Sequence, residues 1–202
     1  MQLGILGTGN VAQTLARRWS AAGHKITFGS RDPASTTALD APVRSLAAAV
    51  ADNDVVVNAT PGSASLDLVA GIGAAAFAGK VLVDVANAST PSFELVYPNS
   101  SLAEKLQAAL PAAKVVKTMN TAAMSVMTEP ATLPPSSVFV SGDDAGAKAT
   151  VTSLLRDFGW PDGSIVDLGG IGSARGPEHY FLMFVALMQS LRGPGFNIRL
   201  VT

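Results

Sequence analysis

The stretch LGILGTGNVA, residues 3–12, decides the fold of this chain. It consists of a short apolar run, residues 3–6, a glycine loop, and the first turn of a predicted helix over residues 10–22. The loop Gly7-Thr8-Gly9-Asn10-Val11-Ala12 matches G-x-G-x-x-A, a variant of the fingerprint in which a strand, a dinucleotide-binding loop and a helix follow one another. The stretch therefore predicts the first strand, loop and helix of a Rossmann-type domain.

The two glycines of the loop have separate chemical roles. Gly7 permits a tight turn after the strand, and Gly9 lets the backbone come close to a pyrophosphate. The start of the helix offers unpaired amides and a partial positive charge to that anion. The loop therefore predicts nucleotide binding, and the alternative is that the glycines only form a tight turn.

The second predicted strand, residues 26–28, ends in a segment that selects between NAD and NADP. An NAD site carries an acidic residue here, which binds the ribose 2′-hydroxyl. This chain has Gly29-Ser30-Arg31-Asp32, in which the Ser30 hydroxyl and the Arg31 guanidinium suit a 2′-phosphate. Asp32 comes one position late for the ribose. The segment predicts NADP as the cofactor, and the alternative is that Arg31 is only a solvated loop residue.

Further apolar runs alternate with helical segments along the chain, which is typical of a parallel sheet covered by helices on both faces. We predict an α/β fold of the Rossmann type, a doubly wound, mostly parallel sheet with a small C-terminal α/β extension. Residues 1–118 would form the dinucleotide-binding domain and residues 119–202 the extension. The other predicted strands are residues 54–58, 80–85, 114–119, 138–140 and 165–168. The other predicted helices are residues 44–51, 65–77, 143–158 and 178–191, and one more helix begins at a capping box of Ser101 and Glu104. Residues 31–42 are predicted to form a loop.

The composition excludes several classes of protein and of site. Only 14% of the residues are charged, against about 25% in typical domains, and 48% are hydrophobic, which excludes a long disordered region. The net charge of -1, without a basic run, argues against binding of nucleic acid or of an anionic membrane. Because the chain has no cysteine and only two histidines, His24 and His179, no metal site is predicted. An export signal and a run of ~20 apolar residues are both missing from the sequence, so we expect a cytoplasmic protein.

Candidate acids and bases are few, and no catalytic residue is predicted. Lys117 ends a strand and is placed to donate a proton, but a salt-bridged or solvated lysine is the favoured interpretation. We expect His24 to be structural, His179 to cap a helix or lie in an interface, and Asp84 to shape a turn. The pair Asp143-Asp144 is interpreted as the start of a helix rather than as a metal site. The sequence has no Tyr-x-x-x-Lys and no G-x-S-x-G motif, which argues against a short-chain dehydrogenase and a serine hydrolase.

The motifs stand in the order and spacing of one known family. Gly7-Thr8-Gly9-Asn10 and Gly29-Ser30-Arg31-Asp32 are followed by VFVSGDD at residues 138–144 and VDLG at residues 166–169. Over essentially the whole chain, the sequence resembles the NADPH-dependent reductases of the deazaflavin coenzyme F420. It is also similar to the oxidoreductase domain of transmembrane ferric reductases.

The resemblance implies where a cofactor would bind. Thr8, Gly9, Asn10 and Val11 would contact the pyrophosphate, Ser30 and Arg31 the 2′-phosphate, Thr60 and Pro61 the middle of the cofactor, and Met119, Asn120 and Thr121 would border the nicotinamide and the second substrate. Two positions depart from the F420 reductases. Asn120 stands in place of a histidine, in the Lys-x-x-Asn-Thr motif of looser relatives, and residues 33–37 lack a basic residue that the family carries.

The function implied is transfer of hydride between NADPH and a deazaflavin (F420) or flavin-like acceptor, a small redox molecule. Such transfer depends on the positioning of two rings and requires no acid or base from the protein. The alternatives are reduction of a small carbonyl or imine, which requires a proton as charge develops, and a non-catalytic NADP-binding module. The predicted C-terminal helix is apolar nearly all round, which predicts a homodimer.

Overall fold

The computed structural model describes residues 1–36 and 39–201, so that residues 37 and 38 of the predicted loop over residues 31–42 lie outside it. In the described part of the chain, eight strands form one sheet in the order β3-β2-β1-β4-β5-β6-β7-β8. The strands are β1 (Gln2–Leu6), β2 (Lys25–Ser30), β3 (Val43–Ser45), β4 (Val55–Asn58), β5 (Val81–Asp84), β6 (Lys114–Thr118), β7 (Val138–Ser141) and β8 (Ile165–Asp167). The helices are α1 (Asn10–Ala21), α2 (Leu46–Ala51), α3 (Ser65–Ile72), α4 (Leu102–Ala109), α5 (Met124–Thr128), α6 (Ala145–Arg156) and α7 (Arg175–Ser190).

The sheet is parallel except where β7 runs antiparallel to β6. All four residues of β4 are buried, as are four of the five in β1, because helices cover both faces of these central strands. The chain reverses its direction of growth between β1 and β4, so the first six strands follow the Rossmann order. The predicted fold class, a doubly wound and mostly parallel sheet, is confirmed.

Several element boundaries differ from the sequence-based expectation, most clearly at three helices. The helix predicted over residues 44–51 begins only at Leu46, because residues 43–45 pair with β2 as the edge strand β3. The helix predicted over residues 65–77 ends at Ile72, and a 3-10 turn follows Gly73, whose φ of 95° a continuing helix does not allow. The last helix begins at Arg175, three residues earlier than predicted.

Two hydrophobic cores lie on the two faces of the sheet. In the first, the Trp19 ring of α1 stacks on Phe158 with 4.8 Å between ring centroids, and its indole Nε1 donates to the Leu154 carbonyl at 3.1 Å. The second contains Phe77 and the buried face of α4. Each core packs one layer of helices onto the sheet, which fixes the carboxyl ends of the central strands along one edge.

The predicted C-terminal extension continues the same sheet. Its strands β7 and β8 extend the edge beyond β6, and the Ser137 amide donates to the Ile198 carbonyl at 2.8 Å, which ties the chain end to the start of β7. A domain boundary at residue 118 stays a prediction.

Candidate nucleotide-binding site

A cleft of about 1280 Å³ runs along the carboxyl ends of the central strands. It crosses the point between β1 and β4 at which the strand order reverses, the usual place for a ligand in an open α/β sheet. The predicted site residues that line it are Gly7, Thr8, Gly9, Asn10, Val11, Ser30, Arg31, Thr60 and Pro61. The structure therefore brings nine predicted residues together along one cleft, whereas Asn120 is not among the lining residues.

The glycine loop forms the middle of the cleft. Gly7 has a φ of +105°, and a Cβ atom at this position would lie 2.8 Å from the Ala59 carbonyl oxygen, so only glycine fits the turn. A Cβ atom at Gly9 would meet nothing within 4 Å. Gly9 is also the N-cap of the twelve-residue helix α1, whose first turn has neither a side-chain cap nor an acidic residue. The open space and the uncapped amides of α1 suit an anion such as a pyrophosphate.

The loop after β2 forms one end of the cleft, here called the adenosine end (Gly29, Ser30, Arg31 and Asp32). The Asp32 amide donates to the Ser30 hydroxyl at 3.1 Å, and hydrogen bonds from Ser35 hold the pKa of the Asp32 carboxyl below its usual value. Asp32 is therefore occupied in closing this loop. Arg31 is exposed, and its guanidinium makes no hydrogen bond or ion pair with any residue that the structure describes. It is accessible to a phosphate.

The opposite end of the cleft, here called the far end, is lined by uncharged residues after β4 and β5 and on α5. These residues are Thr60, Pro61, Val85, Ala86, Asn87 and Met127. Beneath them, the buried Asn58 accepts a hydrogen bond from the Thr60 hydroxyl at 2.6 Å and donates to Asp84 Oδ1 at 2.9 Å. The ionisable side chains among the described lining residues are Arg31, Asp32 and Asp67, and Asp67 lies on α3, the helix after the Thr60-Pro61 turn.

A buried ionic cluster of Lys117, Asp84 and Glu178 lies under the far end. Lys117 Nζ is 2.8 Å from Asp84 Oδ2 and 3.0 Å from Glu178 Oε1, and it also donates to the Ala86 carbonyl. Of the two states favoured for Lys117, salt-bridged or solvated, the structure shows the salt-bridged one. Asp84 Oδ1 accepts from the Ala86 amide at 3.2 Å, so it shapes the turn after β5 as expected, and it is also an ion-pair partner that the sequence did not reveal.

Asn120 and Asn87 form a reciprocal pair of hydrogen bonds. Asn120 Nδ2 donates to Asn87 Oδ1 at 2.9 Å, and Asn87 Nδ2 donates to the Asn120 carbonyl at 2.8 Å. Asn120 Nδ2 also reaches the Pro177 carbonyl at 2.9 Å. The side chain that faces the cleft is thus that of Asn87, which the sequence analysis missed. Its position shortly after the carboxyl end of β5 was the signal available.

The remaining candidates have structural contacts. His24 Nε2 lies 2.8 Å from Asp157, His179 Nε2 lies 3.0 Å from the Ser100 carbonyl oxygen, and neither histidine lines the cleft. Asp144 caps α6 by accepting the Ala147 amide at 2.7 Å, which confirms the start of that helix, and Asp143 accepts the Ile171 amide. Within residues 1–36 and 39–201, no three side chains of the metal-binding types come together, and no helix has both the length and the apolarity that crossing a membrane requires.

Comparison with known proteins assigns the family. The sequence model described as "NADP oxidoreductase coenzyme F420-dependent" matches residues 2–88. The structure of a candidate F420-dependent NADP-reductase from Arthrobacter sp. FB24 is 38% identical, covers 100% of both chains and superimposes with a TM-score of 0.94. This chain belongs to the F420-dependent NADP oxidoreductase family. Membership makes it an NADP-dependent oxidoreductase, and the recognition of the family from its motifs is confirmed.

Two further comparisons extend the similarity to more distant proteins. It is 32% identical over 182 residues to the metalloreductase STEAP3 of Rattus norvegicus, covering 88% of this chain but only 36% of that protein. The chain thus spans about a third of the length of this curated relative. An imine reductase from Streptomyces aurantiacus is 17% identical, covers 95% of this chain and 63% of the reductase, and has a TM-score of 0.68, a likeness of fold alone.

Proposed function

We propose that the protein transfers hydride between NADPH and a deazaflavin or flavin acceptor. The observation that carries this proposal is the far end of the cleft, where the lining side chains bear no charge. Transfer of hydride between two stacked rings depends on their distance and orientation and takes no proton from the protein. A smooth, uncharged surface formed by residues such as Val85, Ala86 and Met127 suits that reaction.

The geometry of the cleft supports one placement of the cofactor. Ser30 and Arg31 would hold the 2′-phosphate, and the amides at the start of α1 would bind the pyrophosphate beside Gly9. Because the dinucleotide crosses the point where the strand order reverses, its nicotinamide would lie at the far end, over the ends of β4 and β5. When bound there, NADPH supplies the hydride, and the chain orients it and excludes water.

Two other functions are tested alongside this one. Reduction of a carbonyl or imine needs a proton donor close to the hydride, and none of the described far-end residues has an ionisable side chain. A module that binds NADP without turnover is the third candidate. These two functions and the proposed one predict different patterns of NADPH oxidation with a panel of acceptors.

We also propose that α7 mediates a homodimer. The helix is apolar over most of its surface, yet its Leu182 and Met183 side chains are left 49% and 55% exposed. A second copy would cover this apolar face. The cytoplasmic location expected from the sequence stays a prediction.

Stopped-flow absorbance of the nicotinamide tests the proposed reaction. The protein is mixed with NADPH and, in parallel, with F420, a flavin, a small aldehyde and a cyclic imine, and the same series with NADH is the matched control. We expect rapid oxidation of NADPH with F420 or the flavin and none with the aldehyde or imine. Oxidation by the imine or aldehyde alone would contradict the proposal, and tight NADPH binding without oxidation by any acceptor would indicate the non-catalytic module.

A further inference from the structure

The ionic cluster beneath the far end places charged groups in the interior of the protein. The side chains of Lys117 and Asp84 are 0% exposed and that of Glu178 is 5% exposed, so three charges are removed from water. Burial of ion pairs carries a large desolvation penalty, and apolar or neutral side chains of similar volume often serve stability as well or better. The contacts of the cluster therefore need another explanation.

The cluster holds both backbone groups of one cleft residue, Ala86. Asp84 Oδ1 accepts the Ala86 amide at 3.2 Å, and Lys117 Nζ donates to the Ala86 carbonyl. Glu178 Oε1 contacts the same ammonium group, while the Glu178 carboxylate accepts the Leu102 and Ala103 amides at 2.7 and 3.0 Å. The turn after β5 is thereby fixed to the start of α4 and to α7.

Asn120, three residues after Lys117, fixes the next cleft residue, Asn87. The two hydrogen bonds between these asparagines define the plane of the Asn87 amide. One N–H of Asn87 and one lone pair on its Oδ1 stay available, because an amide side chain has two donors and two acceptor sites. The third contact of Asn120, with the Pro177 carbonyl, attaches this pair to the first turn of α7.

We propose that Lys117 and Asn120 are positioning residues, which hold residues 86–87 as the surface against which the nicotinamide ring lies. This proposal rests on the proposed function, which places the nicotinamide at the far end. Neither side chain lines the cleft, so both act through residues 86 and 87. The Lys-x-x-Asn spacing places one residue under each of these two neighbours. Since the rate of hydride transfer depends steeply on geometry, release of this segment slows the reaction without removing a contact to the adenosine half.

The first test removes the three charges together. Lys117→Met alone would leave two buried carboxylates without their cation, so the informative variant is Asp84→Asn/Lys117→Met/Glu178→Gln, which keeps side chains of similar size. We expect unchanged affinity for adenosine 2′,5′-bisphosphate, a probe of the adenosine half, and a lower anisotropy of nicotinamide fluorescence in bound NADPH. We expect hydride transfer about 100-fold slower, the scale associated with a misplacement of 1 Å.

The second test leaves the cluster intact. Asn120→Ala removes the donor to Asn87 Oδ1, and we expect the same loss of nicotinamide order with unchanged binding of the bisphosphate. The matched control is Glu104→Gln/Arg175→Gln. It removes an ion pair of 2.7 Å that also links α4 to the start of α7, but that lies at the surface and touches no cleft residue. We expect this control to behave as the unmodified protein in all three measurements.

The outcomes separate positioning from a purely structural role. Normal nicotinamide anisotropy and a normal rate in both test variants would overturn the proposal, as would equal losses of affinity for NADPH and the bisphosphate. If the triple variant does not fold, Asn120→Ala decides alone. If the unmodified protein reduces no acceptor, the proposed function fails, and the anisotropy and bisphosphate measurements still decide whether Lys117 and Asn120 position the nicotinamide.

Discussion

The two ends of the cleft are built in different ways. At the adenosine end, the side chains of Ser30 and Asp32 form hydrogen bonds with partners two to six residues away along the chain, and Arg31 is exposed. At the far end, the contacts join residues 33, 57 and 76 positions apart, as in the pairs Lys117 with Asp84, Asn120 with Pro177 and Glu178 with Leu102. One end is a local, solvated loop, and the other is a buried junction of four elements.

Because of this difference, substitutions at the two ends affect ligand affinity and protein stability differently. An exposed side chain at the adenosine end contributes to binding only when the ligand is present, so its removal leaves the unfolding free energy unchanged. A buried group at the far end contributes to both, because its removal takes a hydrogen bond or an ion pair from buried partners that water does not reach. Changes at the two ends are therefore expected to give different combinations of lost stability and lost affinity.

Lys117→Met, beneath the far end, is expected to cause the largest loss of stability. Removal of the ammonium leaves two buried carboxylates without their cation, so the unfolding free energy falls by roughly 3–5 kcal/mol, measured by urea denaturation. Lys105→Met, on the exposed side of α4, is the matched control and stays within about 0.5 kcal/mol of the unmodified protein. Equal changes in the two variants would show that the cluster contributes nothing to stability.

Arg31→Ala is expected to affect binding alone. A charged hydrogen bond to the 2′-phosphate contributes roughly 1.5–3 kcal/mol, so NADPH affinity falls by about one to two orders of magnitude. NADH affinity and the urea midpoint stay the same, as does NADPH affinity in Arg17→Ala, a control on the exposed side of α1. Calorimetric titration decides the outcome, and equal losses for both cofactors would mean that Arg31 does not contact the 2′-phosphate.

Gly9→Ala tests the middle of the cleft, between the two ends. Its φ of -76° is open to any residue and its Cβ atom would meet no protein atom, so stability is unchanged. The methyl group would crowd the pyrophosphate, which weakens NADPH and NADH alike by about 1–3 kcal/mol. Gly163→Ala, at another position with open space, is the control for titration and thermal unfolding. Unchanged affinity in Gly9→Ala would place the pyrophosphate elsewhere.

Glu104→Gln is expected to have the smallest effect on stability. It removes the surface ion pair of Glu104 with Arg175, which serves as a comparison for the buried cluster. Hydrogen bonding to Arg175 lowers the pKa of Glu104 from 4.5 to about 2. Glu104 therefore stabilises the folded protein above pH 4.5, and this contribution is lost as the pH falls from 4.5 towards 2. The Arg175 side chain is 54% exposed, so the contribution is at most about 1 kcal/mol. Thermal melting over this range should fall less steeply in the variant, and identical slopes would contradict the assignment.

The same contrast explains what the sequence predicted. The glycine loop and the Ser30-Arg31 segment are each formed by consecutive residues, so their chemistry can be predicted from the local sequence. The edge strand β3 was missed because its strand conformation comes from pairing with β2 rather than from its own residues. The far end was predicted only in part, since Glu178 reaches Lys117 and α4 from a helix far along the chain. A charged residue within the apolar strand β6 was the one local sign of the cluster.

The central claim is that the cleft binds NADP with its 2′-phosphate at the adenosine end. Calorimetric titration of NADPH and of NADH into the unmodified protein, in the same buffer and at the same salt concentration, tests it most directly. We expect NADPH to bind at least about tenfold more tightly, equivalent to roughly 1.4 kcal/mol from the contacts of Ser30 and Arg31 with the phosphate. Equal affinities, or tighter binding of NADH, would contradict the claim.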